Sequence, residues 1–263
     1  MGNFITSIKV NHIFHLENFC IPISENEKKH LIITGKNGSG KTILLNAIVE
    51  HLSKVCNDKM LSFLDFKKYL ESNQAWLQQA ETTGDSKSIA SGQNNVEYYK
   101  NRIEEFYGKV ELSFHDIYSI PKDFLSQDFI IAYYADERKS LFVEPKNPVK
   151  PDLKMKTDLK HNKVDQFLNF MVDCKVQEAL ARNEGKTEDA DYIRQWFVGF
   201  RNILRQIFDD TTLELDFNYK DYSFLIQTRG KSFKFTELSA GYSAALDIVA
   251  DLILKMQSQN NVV

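Results

Sequence analysis

Gly35-Lys36-Asn37-Gly38-Ser39-Gly40-Lys41-Thr42, read GKNGSGKT, fills every place of the pattern G-x-x-x-x-G-K-[ST]. Each place has a physical reason. The glycines let the backbone curl around a phosphate with its N–H groups pointing inward. The residues that follow, ILLNAIVEHLSKV (43–55), carry apolar side chains at helical spacing. The loop is therefore expected to end on a helix N-terminus, where unpaired N–H groups and the helix dipole favour anions. Lys41 is placed to reach the β- and γ-phosphates of a nucleoside triphosphate, and the Thr42 hydroxyl to ligate Mg²⁺. The expected cofactors are ATP and Mg²⁺.

Upstream, residues 4–23 alternate and are rich in Ile, Val and Phe, which predicts one or two strands. His30–Thr34, HLIIT, predicts a short buried strand running into the loop. His12 and His15 stand three apart, so on one strand they face opposite sides and make no shared metal site. Downstream, residues 58–107 read as mostly helical, with the small polar stretch 81–95 as a loop or hairpin tip. KVELSFH (109–115) and DFIIAYYADE (128–137) read as strands. Pro145, Pro148 and Pro151 mark an irregular segment. Residues 161–208 return to helix, broken near RNEGKTED (182–189). LELDFNY (213–219) and SFLIQTRGKSFKF (223–235) suggest a β-hairpin, and a helix closes the chain from about Ser243.

The totals set bounds. A chain of 263 residues, 43% hydrophobic and 26% charged, can bury the core of one large domain or two small ones. A formal net charge of -3 argues against a globally basic nucleic-acid binder. Cys20, Cys56 and Cys174 are far apart, so a zinc ribbon and a dithiol redox motif are disfavoured. Reduced thiols fit a cytoplasmic location. No apolar run reaches transmembrane length, so no membrane partner is expected.

Near the end stands Leu238-Ser239-Ala240-Gly241-Tyr242. Taken alone, a serine before a helix is an N-cap. Behind a phosphate loop it resembles the ABC signature, L-S-G-G-Q, departing from it at Ala240 and Tyr242. Asn37-Gly38-Ser39-Gly40 likewise resembles the x-N-G-x-G-K loop of ABC-type ATPases of the chromosome-maintenance and DNA-repair branch. The resemblance implies an α/β P-loop NTPase fold: an ABC-ATPase head spanning 1–263. Its phosphate-loop lobe would be 1–57 and 108–140, with helical insertions 58–107 and 161–208. Hairpin and signature helix would cover 211–256. It implies that Gly35, Lys36, Asn37, Gly38, Ser39, Gly40, Lys41 and Thr42 hold the nucleotide of their own chain. Ser239 and Gly241 would meet the nucleotide of a second copy, so that ATP drives homodimerisation. Lys41 and Ser239 would act in catalysis.

In that family an acidic Walker B pair follows the signature. Asp136-Glu137 ends an apolar run but precedes the signature, so its role as Mg²⁺ ligand and catalytic acid competes with that of a strand leaving the core. Asp247 and Asp251, spaced i, i+4, read as a polar helix face. A Walker B strand is thus expected after residue 263. The chain reads as an N-terminal piece, incomplete at its C-terminus, that binds nucleotide but hydrolyses it poorly by itself. With QFLNFMVDCKVQEALARNEGKTEDADYIRQWFVGFRNILRQIFDD (166–210) and IAYYADER (131–138), most of residues 5–263 also resembles ATPases of the Septu and retron-associated anti-phage systems, a family that pairs with a nuclease effector. Between Arg138 and Lys163 there are eight Lys/Arg against three acids, a stripe that could touch nucleic-acid phosphates but reads more readily as a solvated proline-containing loop, with few aromatics interleaved for base stacking. The alternatives are a nucleotide-gated scaffold without turnover, a transporter's nucleotide-binding domain, and a P-loop enzyme using Asp136-Glu137. The long helical stretch after the loop argues against the transporter.

Overall fold

The computed structural model describes residues 2–126, 128–134, 142–151 and 164–257. The chain divides into two compact units, Met1–Phe129 and Ile130–Val263. The boundary falls inside the stretch 108–140 that the sequence groups with the phosphate loop.

The first unit opens with β1 (Ile5–Ile13) and β2 (Leu16–Pro22), an antiparallel hairpin in which Ile13 faces Leu16 across a two-residue turn. β3 (Val110–Phe114) pairs with the other edge of β1, giving the order β2-β1-β3. Ile8, Val10 and Ile13 of β1 and Val110 and Leu112 of β3 are buried. Helix α1 (Lys41–Asn57) turns Leu44, Ala47, Ile48, Leu52 and Val55 inward, the i, i+3, i+4 series seen in the sequence. Burying such a side chain is worth about 1.5–3 kcal/mol. Helices α2 (Phe66–Thr83) and α3 (Ser86–Tyr107) form an antiparallel pair, and the short α4 (Ile120–Leu125) follows β3.

The second unit holds α5 (Phe167–Asn183), α6 (Thr187–Phe208), the meander β4 (Glu214–Asn218), β5 (Ser223–Thr228) and β6 (Lys231–Lys234), and α7 (Ala240–Gln257). Its core is aromatic: Phe167, Phe200, Phe224 and Phe235 are each at most 2% exposed, with Leu246, Ala250 and Leu254 of α7 packed into the same cluster.

Several expectations are revised. His30–Thr34 forms no strand, and Ile32 is 83% exposed. An apolar run gives strand tendency, but a buried strand also needs flanking partners, and the described strands pair among themselves. Every described strand pair is antiparallel, and the described strands form two separate three-stranded sheets. The loop expected over 81–95 shrinks to Gly84 and Asp85. Gly84 (φ 71) takes the left-handed C-cap of α2, and the Asp85 carboxylate accepts from the Lys87 N–H to cap α3. Gly92 lets α3 approach α2 closely, since a Cβ there would lie 3.0 Å from Leu77 and 3.1 Å from Trp76 and would push those side chains back by a few tenths of an ångström. Residues 128–134 form no strand, and 135–137 lie outside the described residues. The expected hairpin is a three-stranded meander, because Arg229-Gly230 makes a second turn. Helix α7 starts at Ala240, ahead of Ser243.

Candidate nucleotide-binding site

The glycine-rich loop 35–42 leads directly into α1, but the residues before it form no strand, so the strand half of the motif's strand-loop-helix context is not met. Gly38 (φ 79) and Gly40 (φ 88) both adopt left-handed backbone, which a side chain would strain. A Cβ on Gly35 would sit 2.8 Å from Ser39 Oγ, so glycine is required there for closeness. Gly40 is buried against the β1–β2 turn, where a Cβ would come 3.4 Å from Leu16. The turn thereby supports the loop at the start of α1.

Lys41 is the first residue of α1. Its Nζ donates to the carbonyls of Gly35 at 2.7 Å and Lys36 at 2.9 Å, and to Ser39 Oγ at 3.4 Å. One ammonium thus spans the loop from end to end. The Ser39 N–H closes the turn on Lys36 O at 3.2 Å. Thr42, Asn37 and Lys36 are exposed. The first turn of α1 has no acidic residue and no side-chain cap. Its leading N–H groups, which no helix can pair internally, stay available to an anion.

Behind this loop α1 is held by a buried histidine. His51, 3% exposed, donates from Nδ1 to Phe106 O at 3.1 Å and accepts at Nε2 from the Leu112 N–H at 3.4 Å. Burial pushes its pKa down to about 4, so the ring is neutral at pH 7. Glu50, on the same helix, receives Lys109 at 2.9 Å and Lys54 at 3.2 Å, and these contacts hold its carboxyl below the usual range.

The second motif lies in the other unit. Ser239 precedes the first residue of α7, and its carbonyl accepts from the Ser243 N–H at 2.9 Å. Ser239, Ala240 and Gly241 are exposed. Tyr242 stacks on Phe208 at 4.2 Å between ring centroids and 14° between planes. The glycine-rich loop and residues 238–242 therefore sit on separate units.

Asp136 and Glu137 lie outside the described residues, as do Arg138, Lys139, Lys154, Lys156, Lys160 and Lys163 of the basic stripe. The part of that run before Asp136 is tied to α7 instead: the Tyr134 hydroxyl donates to Asp251 Oδ2 at 2.8 Å. Asp247 and Asp251 do share a polar face of α7, but that face is buried, the two being 6% and 0% exposed. Ser243, Asp247 and Asp251 form one buried polar row at i, i+4, i+8, with Lys255 Nζ on Asp251 Oδ2 at 2.7 Å. The i, i+4 spacing was the available signal, but spacing does not say which side of a helix meets the core. His12 pairs with Glu17 at 3.0 Å across the hairpin, and His15 sits in the turn.

Among the described residues no cluster of three His, Cys, Asp or Glu is placed to hold a metal. No helix among them is long and apolar enough to cross a membrane. The chain matches no family model, no curated protein and no solved structure.

Proposed function

We propose that this protein is an ATP-binding head of the ABC type that dimerises on ATP and powers or switches a DNA-linked or defence complex. One observation carries the reading: the Lys41 ammonium gathered onto Gly35 O, Lys36 O and Ser39 Oγ inside a loop that needs glycine at 35, 38 and 40. An incoming triphosphate would exchange those carbonyl contacts for charge-assisted ones to phosphate oxygens. The N–H groups at the start of α1 would take the same phosphates, with Thr42 Oγ1 available to the accompanying Mg²⁺.

The ATPase role extends the same reading. Ser239 and Gly241 of a second copy would close the site over the γ-phosphate, making nucleotide and dimer one event. Asp136 and Glu137 remain the candidates within this chain for the water-activating acid pair. A nuclease effector and nucleic acid along 138–163 are the proposed partners, and the cytoplasm the proposed setting.

The test is a calorimetric titration of the full chain with ATP and Mg²⁺, beside Lys41→Ala. Loss of the ammonium should weaken binding by at least tenfold, because a charge-assisted contact is worth roughly 1.5–3 kcal/mol. Equal affinity in the two proteins would remove the reading.

A further inference from the structure

Tyr242 stands where the signature form has Gln, and its surroundings give it a different task. Its ring lies parallel to Phe208, the last residue of α6, which is 5% exposed. Phe208 in turn meets Phe233 of β6 at 6.0 Å. One face of Tyr242 is thus spoken for, while the residue as a whole stays 37% exposed. Next to it Gly241 has neither positive φ nor a neighbour: a Cβ there would meet nothing within 4 Å. Neither the backbone nor the packing of this chain asks for glycine at that place.

The physical problem at this corner is fraying. The first turn of a helix lacks internal partners for its leading N–H groups and opens at low cost. Ser239 and Gly241 ride on that turn. Upstream, Phe235 is fully buried and anchors the approach to it. Downstream, Leu246 fixes the second turn in the core. Between these two anchors Leu238 packs partly against the same core, and the Tyr242–Phe208 stack is the ring contact that the first turn makes.

We infer that Tyr242 is a positioning residue: stacked on Phe208, it holds the exposed Ser239–Gly241 corner in the shape that closes on a second copy's nucleotide. The inference rests on the proposed reading of that corner as half an ATP site. The ring does the work and the hydroxyl does not, which separates positioning from direct contact. A glutamine at this place could reach a ligand, but it could not stack on Phe208 in this way.

The experiment uses the full chain as wild type, Tyr242→Phe, Tyr242→Ala and Ser239→Arg. Dimerisation with ATP and Mg²⁺ is measured by sedimentation, ATP affinity by calorimetry, and hydrogen exchange at the Ser243 amide and the two that follow it. Tyr242→Ala should weaken dimerisation about tenfold and speed exchange by a similar factor, the size expected for one aromatic stack. ATP affinity of the monomer should stay within about twofold, since Tyr242 belongs to the other half-site. Tyr242→Phe should match wild type in every readout. Unchanged exchange in Tyr242→Ala overturns the inference whatever the dimer does. So does a Tyr242→Phe protein as impaired as Tyr242→Ala. If Ser239→Arg dimerises like wild type, the reading of the corner itself has failed. If Ser239→Arg blocks dimerisation while Tyr242→Ala leaves it intact, the corner stands and the positioning role falls.

Discussion

Acidification should loosen the first unit through His51, by an amount the structure fixes. The ring is buried beneath α1, with Phe106 O and the Leu112 N–H on its two nitrogens. A second ring proton would set Nε2–H against the Leu112 N–H, donor facing donor. Burial is the main cause of the lowered pKa, with Glu111, Lys54 and Glu50 as smaller charged neighbours. The folded value is about 4 against 6.5 for the free side chain. As pH falls below 6.5 the unfolded chain takes up a proton that the folded chain refuses, so stability is full above that point and declines beneath it. Between pH 7.5 and 5 the loss is about 2 kcal/mol, rising to about 3 kcal/mol at pH 4.

The assay is urea unfolding across that range. The chain has two tryptophans, Trp76 in α2 and Trp196 in α6, so a Trp196→Phe background leaves a fluorescence reporter in the first unit. In that background His51→Gln removes the titration. It should be the less stable protein at pH 7.5, having lost at least one buried hydrogen bond. The gap should then shrink by about 2 kcal/mol at pH 5, as the histidine protein pays for its refusal. A stability difference that stays constant from pH 7.5 to 5 would refute the reasoning.

Two more outcomes follow from burial. Asp251→Ala should destabilise the second unit by about 3–5 kcal/mol, because it strips Lys255 and Tyr134 of a fully buried partner. Denaturant melts followed by Trp196 would show it, and a change below about 1 kcal/mol would argue that the row is solvated after all. Cys20 is exposed and should react with a thiol probe in the native protein. Cys56 and Cys174, whose thiols burial pushes up to about 12, should react only on unfolding. Early labelling of either, mapped by mass spectrometry, would contradict the packing.

What could be read from the sequence was local. The glycines of GKNGSGKT require left-handed backbone or close approach, and a helix pattern starts right after them, so loop and α1 follow from residues within one short window. The alternation in 4–23 and 109–115 gave β1, β2 and β3 for the same reason, since a strand's two faces are written in its own side chains. The break between α5 and α6 was visible around Gly185. The small polar residues of 81–95 misled, because Ser, Asn and Gly tolerate an exposed helix once Gly84 and Asp85 supply its caps and Gly92 its close contact with Trp76.

By itself, then, the sequence determined the glycine-rich loop 35–42 and the helix it opens, since these depend on backbone freedom and residue type over a short window. Tertiary structure decided where HLIIT would lie, which face of α7 would be buried and what Tyr242 would touch. Those outcomes turn on partners distant in the chain: Asp251 meets a tyrosine 117 residues away, and Tyr242 stacks on the end of another helix. Periodicity tells a helix which residues share a face. Only packing tells that face whether it meets water or a hydroxyl.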